Sequence, residues 1–140
     1  MPSLLTYLTF NGNCREAMLF YQKCLGGELI FQTIGDTKQA VRLPEKAQNC
    51  ILHAVLKNED FQIAGTDIVN DTGLIKGNTV SILLQCNSTK ELRNYFKLLS
   101  AEGETELKLS KTNEGNLSAN LRDKYGVHWY LHSKSTTKST

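Results

Sequence analysis

The stretch from Leu4 to Gly27, LLTYLTFNGNCREAMLFYQKCLGG, reads as one strand feeding one helix whose two ends are set by local chemistry. Leu4 to Phe10 is dense in aliphatic, aromatic and β-branched residues, and Asn11-Gly12-Asn13 behind it breaks the strand. Asn13 stands three residues before Glu16, the spacing of a capping box, so the helix is expected to start there with the Asn13 side chain as its cap. Cys14, Ala17, Met18, Tyr21, Cys24 and Leu25 form one apolar stripe, and Gly26-Gly27 ends the helix.

The same pattern returns 75 positions later. Ser81 to Cys86 is the second strand, Ser88-Thr-Lys-Glu91 a second capping box, and Leu92, Tyr95, Phe96 and Leu99 a second helical stripe. A further pair of segments repeats at an offset of 66: Asn49 to Lys57 with Phe61 to Gly65 corresponds to Gly115 to Asp123 with Val127 to Leu131. Internal duplication therefore organises the chain, and the fold class it predicts is α+β: two tandem β-α-β-β-β modules. The modules occupy residues 3–66 and 79–132 of one domain spanning 1–132, joined by a connector at 67–78 and followed by a polar tail at 133–140. Within the first module, a polar stretch from Gly35 to Asn49 carries the Leu43-Pro44 break.

Composition narrows the function classes. No apolar run approaches the ~20 residues of a membrane span, and Met1-Pro-Ser leads straight into a strand, so a cytoplasmic protein with no membrane partner is expected. The net charge is +2 with Lys and Arg scattered, which argues against nucleic acid as a partner. Cys14, Cys24, Cys50 and Cys86 form no C-x-x-C pair and no metal-type spacing with histidine; they read as reduced, small apolar side chains.

The opening LTFNGNCREAMLFYQKCLGGE, the central ILHAVL and the closing DKYGVHW resemble the PhnB-like branch of the vicinal oxygen chelate superfamily, which includes glyoxalases and bleomycin resistance proteins. This branch also carries a demethylubiquinone methyltransferase-like label. The resemblance spans about residues 3 to 132 and implies a glyoxalase-like fold of curled mixed sheets, an open cavity against the concave sheet faces, and a homodimer. The strand-to-helix junctions FNGNC and QCNST lack the glycine-rich turn that adenosylmethionine chemistry ordinarily uses, so methyl transfer is not expected.

The metal-dependent members of the superfamily place one ligand on the first and one on the last strand of each module. The resemblance puts Thr6, Ala64, Ser81 and Tyr130 at those positions, and none is a strong ligand for a transition metal; no metal and no cofactor are expected. His128 and His132 share a face of the last strand, about 13 Å apart by strand rise, too far to hold one ion together. A two-residue turn at Asn58-Glu59 would set His53 opposite Ala64, whereas a three-residue turn would swap His53 for its neighbour. His53 is thus either a ligand contact or a structural residue, and Tyr130, read as opposite Ala119, has the same two readings. Trp129 is expected to point the other way, under the helices. The expected ligand pocket comprises Thr6, His53, Gln62, Ala64, Ser81, His128 and Tyr130, and its expected occupant is a small organic molecule. The alternatives are a metal-independent enzyme using His53 or Tyr130 as acid or base, and a non-catalytic dimerising scaffold.

Overall fold

Residues 2–36, 49–111 and 116–133 are described by a computed structural model, in which the chain divides into two compact units, Met1–Ile75 and Lys76–Thr140. The Leu43-Pro44 break and the tail from residue 134 lie outside the described residues. Each unit runs β-α-β-β-β. The first contains β1 (Thr6–Thr9), α1 (Cys14–Leu25), β2 (Glu28–Thr33), a short 3-10 turn (Ile34–Asp36), β3 (Ile51–Lys57) and β4 (Gln62–Thr66). The second contains β5 (Ile82–Cys86), α2 (Thr89–Leu99), β6 (Glu104–Lys111), β7 (Leu117–Arg122) and β8 (His128–Ser133). The sheet orders are β1-β4-β3-β2 and β5-β8-β7-β6, with the first pair of each parallel and the other pairs antiparallel. Ser133, where the polar tail was expected to begin, is instead the buried last residue of β8.

Side-chain alternation divides each sheet into two faces. In the first unit α1 buries Cys14, Ala17, Met18, Tyr21 and Cys24, while Ala54, Leu56 and Ile63 are buried on the strands. An added Cβ on Gly65 would lie 3.1 Å from Cys14 Sγ and 3.2 Å from Met18 Sδ, so the helix packs directly on that strand. In the second unit Leu92 and Leu99 of α2 are buried, as are Leu117, Ala119, Leu121, Trp129 and Leu131. Each large aliphatic or aromatic side chain taken fully from water contributes roughly 1.5–3 kcal/mol, so these faces hold each unit together.

The two helices are capped differently. Ser88 Oγ accepts from Glu91 N at 3.0 Å and Glu91 Oε1 accepts from Asn87 N at 2.9 Å, the reciprocal arrangement expected at α2. Asn13 makes no side-chain cap, contrary to expectation. Asp67, just past β4, takes its place: Oδ1 accepts from Gly12 N at 3.0 Å and Cys14 N at 2.9 Å, and Oδ2 accepts from Ile51 N at 3.0 Å. A carboxylate is a stronger acceptor than an amide oxygen and complements the positive end of the helix, so the distant residue displaces the local one.

The repeat is not a pair of constant offsets. Phe10 and Asn13 are separated by Asn11-Gly12, whereas the corresponding Cys86 and Ser88 are separated by Asn87 alone. The β3–β4 loop is Asn58 to Phe61, and the β7–β8 loop is the longer Asp123 to Val127. The offset of 75 therefore relates the helices but misses the strand pair β1 and β5 by one residue, and 66 relates β4 to β8 but misses β3 and β7. A one-residue slip moves every side chain of a strand to the opposite face.

One steric contact recurs in both units. A Cβ on Gly27 would lie 2.9 Å from Lys57 O, and one on Gly103 would lie 2.4 Å from Arg122 O, the carbonyls that end β3 and β7. Gly103→Ala is expected to lower unfolding free energy by about 1–3 kcal/mol in a denaturant titration, because backbone must move to admit the methyl group; an unchanged midpoint would contradict this packing.

Candidate functional site

The face of each sheet turned away from its helix is built in rows. In the first unit the register aligns Tyr7 with Ala64, Ala64 with Val55, and Val55 with Ile30, one apolar row across all four strands. Beside it, Thr9 aligns with Thr66 and His53 with Gln32, giving a polar row free of carboxylate and ammonium groups. On the other side Gln62 aligns with Lys57 and Lys57 with Glu28. Tyr7 and Ile30 are each 52% exposed, so nothing described covers the apolar row at its ends, while Ala64 is 5% exposed at its floor.

The second unit repeats the plan with different residues. Leu83, Tyr130 and Asn120 form one row, Gln85, His132 and Ser118 the next, and His128, Arg122 and Glu104 the third. Leu83 is 57% exposed.

Each polar row carries one histidine with one neighbour in contact. Tyr7 Oη stands 3.4 Å from His53 Nδ1, with ring centroids 6.3 Å apart and planes at 51°. Tyr7 is on β1 and His53 on β3, so the contact crosses β4, and it does so beside Ala64, whose methyl group leaves the lane open. His132 Nδ1 stands 3.0 Å from Gln85 Nε2 and 3.3 Å from Gln85 Oε1, a side-to-side contact between adjacent strands.

The expected pocket residues fare unequally. Ala64, Gln62 and His53 lie on the first unit's open face, and Tyr130 and His128 on the second's, with His128 nearly buried. Thr6 does not: it aligns with Ile63 on the helix-covered face, and Tyr7 takes the open position. Ser81 is exposed but precedes β5, and Leu83 is the residue beside Tyr130. Val55, not His53, is opposite Ala64, because the loop after Lys57 holds four residues rather than two; this slip of two leaves His53 on the expected face. Tyr130 is opposite Asn120, not Ala119, through the extra residue in the β7–β8 loop. Trp129 faces α2's side as expected, and its Nε1 donates to Asp123 Oδ2 at 2.9 Å. Asp123 Oδ1 also accepts from Tyr125 N and Val127 N, which accounts for the DKYGVHW motif as a turn held by one buried carboxylate. Tyr7, Gln85 and His132 were absent from the expected pocket. The residue count between Phe10 and the helix cap, against that between Cys86 and Ser88, was the available signal for Tyr7.

Neither group implied by the resemblance fits these residues. At the superfamily's metal positions the open faces present Tyr7, Ala64, Leu83 and Tyr130, two of which have no donor atom, and no group of three or more His, Cys, Asp or Glu suited to a metal occurs among the described residues. For adenosylmethionine, the helix N-termini that would meet an anionic group are taken by Asp67 and by Ser88 with Glu91. A recess of about 420 Å³ beside α1, lined in part by Arg15, Glu16, Asn49 and Asp67, offers a carboxylate already committed to three amides.

Two β-α-β-β-β units, each with one sheet face that no described helix covers, make a glyoxalase-like fold, which solved glyoxalase/bleomycin resistance/dioxygenase proteins share at 13% and 14% identity. The chain matches the 3-demethylubiquinone-9 3-methyltransferase family over residues 2–132 and belongs to it. It is similar to protein YjdN of Escherichia coli K12, 28% identical over 142 residues that cover 94% of this chain and 95% of that one. Among solved structures, PA1353 from Pseudomonas aeruginosa matches with a TM-score of 0.80 and 28% identity, covering 96% of this chain and 99% of its own. A PhnB protein from Bacillus cereus described as a 3-demethylubiquinone-9 3-methyltransferase matches in fold, with a TM-score of 0.73 at 22% identity over 94% and 99% of the two chains. No helix among the described residues is long and apolar enough to cross a membrane.

Cys14 and Cys86 are buried and do not supply a nucleophile on these faces. Burial, with the Asp67 carboxylate adding to it, pushes the Cys14 thiol up to about 12, and burial with Glu91 pushes Cys86 up to about 11, from an ordinary 9.0. Above pH 9 the unfolded chain releases thiol protons that the folded chain retains, so folding stability is full below pH 9 and declines as pH rises toward 12. Denaturant midpoints measured from pH 7 to 11 should fall above pH 9, and Cys14→Ala should flatten part of that fall; an equal fall in the variant would contradict the assignment.

Proposed function

We propose that the protein binds a small, largely apolar organic molecule on the helix-free sheet faces without a metal, and works as a homodimer. The observation that carries this reading is the row structure: in the first unit an exposed apolar row beside a polar row holding His53, and in the second a mixed row of Leu83, Tyr130 and Asn120 beside a polar row holding His132. Surfaces with this mixture, apolar lining with a few placed hydrogen-bonding groups, are how small-molecule sites are made. Proteins sharing the fold, among them a glyoxalase/bleomycin resistance protein/dioxygenase family enzyme from Burkholderia phytofirmans and a lactoylglutathione lyase from Agrobacterium tumefaciens, fit an organic ligand class. Dimerisation is supported by Leu4, Leu5 and Val80, exposed apolar residues just before edge strands β1 and β5.

Native mass spectrometry of protein purified without chelator tests all three parts. The expected spectrum is a dimer of the 15.7 kDa chain carrying an organic adduct and less than about 0.1 equivalent of zinc, nickel, manganese or iron. A monomer would remove the dimer, and one equivalent of metal lost on Tyr7→Phe or Tyr130→Phe would remove the metal-free site. The Tyr7 and His53 contact favours a second reading, an acid–base enzyme without metal, in which His53→Ala abolishes turnover of the identified ligand but leaves its binding intact.

A further inference from the structure

Tyr7 stands apart because its hydroxyl crosses the full width of β4 to reach His53 on β3. The crossing depends on Ala64: a longer side chain there would fill the space between the two rings, and Ala64 is the floor of the apolar row. We propose that Tyr7 and His53 form a hydrogen-bonding gate over Ala64 that selects planar, uncharged molecules bearing a hydroxyl or carbonyl oxygen. This rests on the binding reading above and adds a ligand class and a selecting residue to it.

The chemistry follows from the three groups. The apolar row at Tyr7, Ala64, Val55 and Ile30 accepts a flat apolar body; the Tyr7 and His53 contact lies between it and the polar row, neither of which carries a carboxylate, ammonium or guanidinium, while Lys57 and Glu28 stand in the row on the far side. At 3.4 Å the Tyr7 and His53 contact is long for a hydrogen bond, so a ligand oxygen offers each partner a better one. Tyr7 Oη can donate to that oxygen or accept from a ligand hydroxyl, and His53 has a second ring nitrogen for the same purpose.

Equilibrium dialysis against naphthalene and 2-naphthol, which share one ring system and differ by one hydroxyl, tests the gate. The wild-type chain should bind 2-naphthol about fivefold more tightly than naphthalene, the worth of one net hydrogen bond. Tyr7→Phe should bring the ratio below about twofold, and Ala64→Leu should weaken 2-naphthol binding by at least the same fivefold factor. Thermal melts of both variants verify that they fold, and Tyr7→Phe, which removes only an exposed hydroxyl, decides the matter if Ala64→Leu does not. Equal affinity for the two probes, or a preference kept in Tyr7→Phe, overturns the gate and leaves the binding reading standing. Binding of neither probe overturns both.

Discussion

One helix can cover one face of a four-stranded sheet, and among the described residues each unit has one helix. Strands spaced about 4.8 Å apart make a sheet roughly as wide as a helix with its side chains and its neighbouring loops, so a single helix completes one core and leaves the reverse face without a second helix among the described residues. The sequence follows this constraint residue by residue. Ala54, Leu56 and Ile63 are buried under α1, and the residues between them, Val55 and Ala64, belong to the other face. A reverse face of this kind is tolerated when it serves binding or assembly, and its mixture of Tyr7, Ile30 and Leu83 with His53 and His132 fits that use better than it fits plain solvent exposure.

The same constraint explains which parts of the duplication are strict. Helix stripes agree at Ala17 with Leu92 and Cys24 with Leu99, all buried. Gly27 and Gly103 press on equivalent carbonyls. Elsewhere the repeat is not kept: in the first unit buried Met18 packs against Gly65, whereas the corresponding positions of the second hold exposed Arg93 and buried Leu131. Capping differs too. Asp67 and Ser133 follow β4 and end β8 at corresponding places, but Asp67 caps its helix while the Ser133 hydroxyl has no hydrogen-bond partner among the described residues, the cap having passed to Ser88 and Glu91.

Element types, their order and the α2 capping box were legible because they depend on neighbours a few residues apart. Asp67 as the cap of α1 was not, since it lies 53 positions from Cys14. Side-chain facing was legible only as far as turn lengths were. A single added residue before Asn13 exchanged Thr6 for Tyr7, another in the β7–β8 loop set Tyr130 opposite Asn120, and neither is visible when two segments are aligned without gaps. His53 stayed on its expected face because its slip was of two residues rather than one.

The central claim is that the helix-free faces, rather than the helices or the recess beside α1, are where ligands bind. Backbone amide NMR spectra recorded during titration with a small library of neutral aromatic fragments address it directly. The account predicts shifts concentrated at Tyr7, Ile30, Val55 and Ala64, and at Leu83 and Tyr130 in the second unit. Shifts concentrated instead at Arg15, Glu16 and Asn49, or along the outer surfaces of α1 and α2, would contradict it.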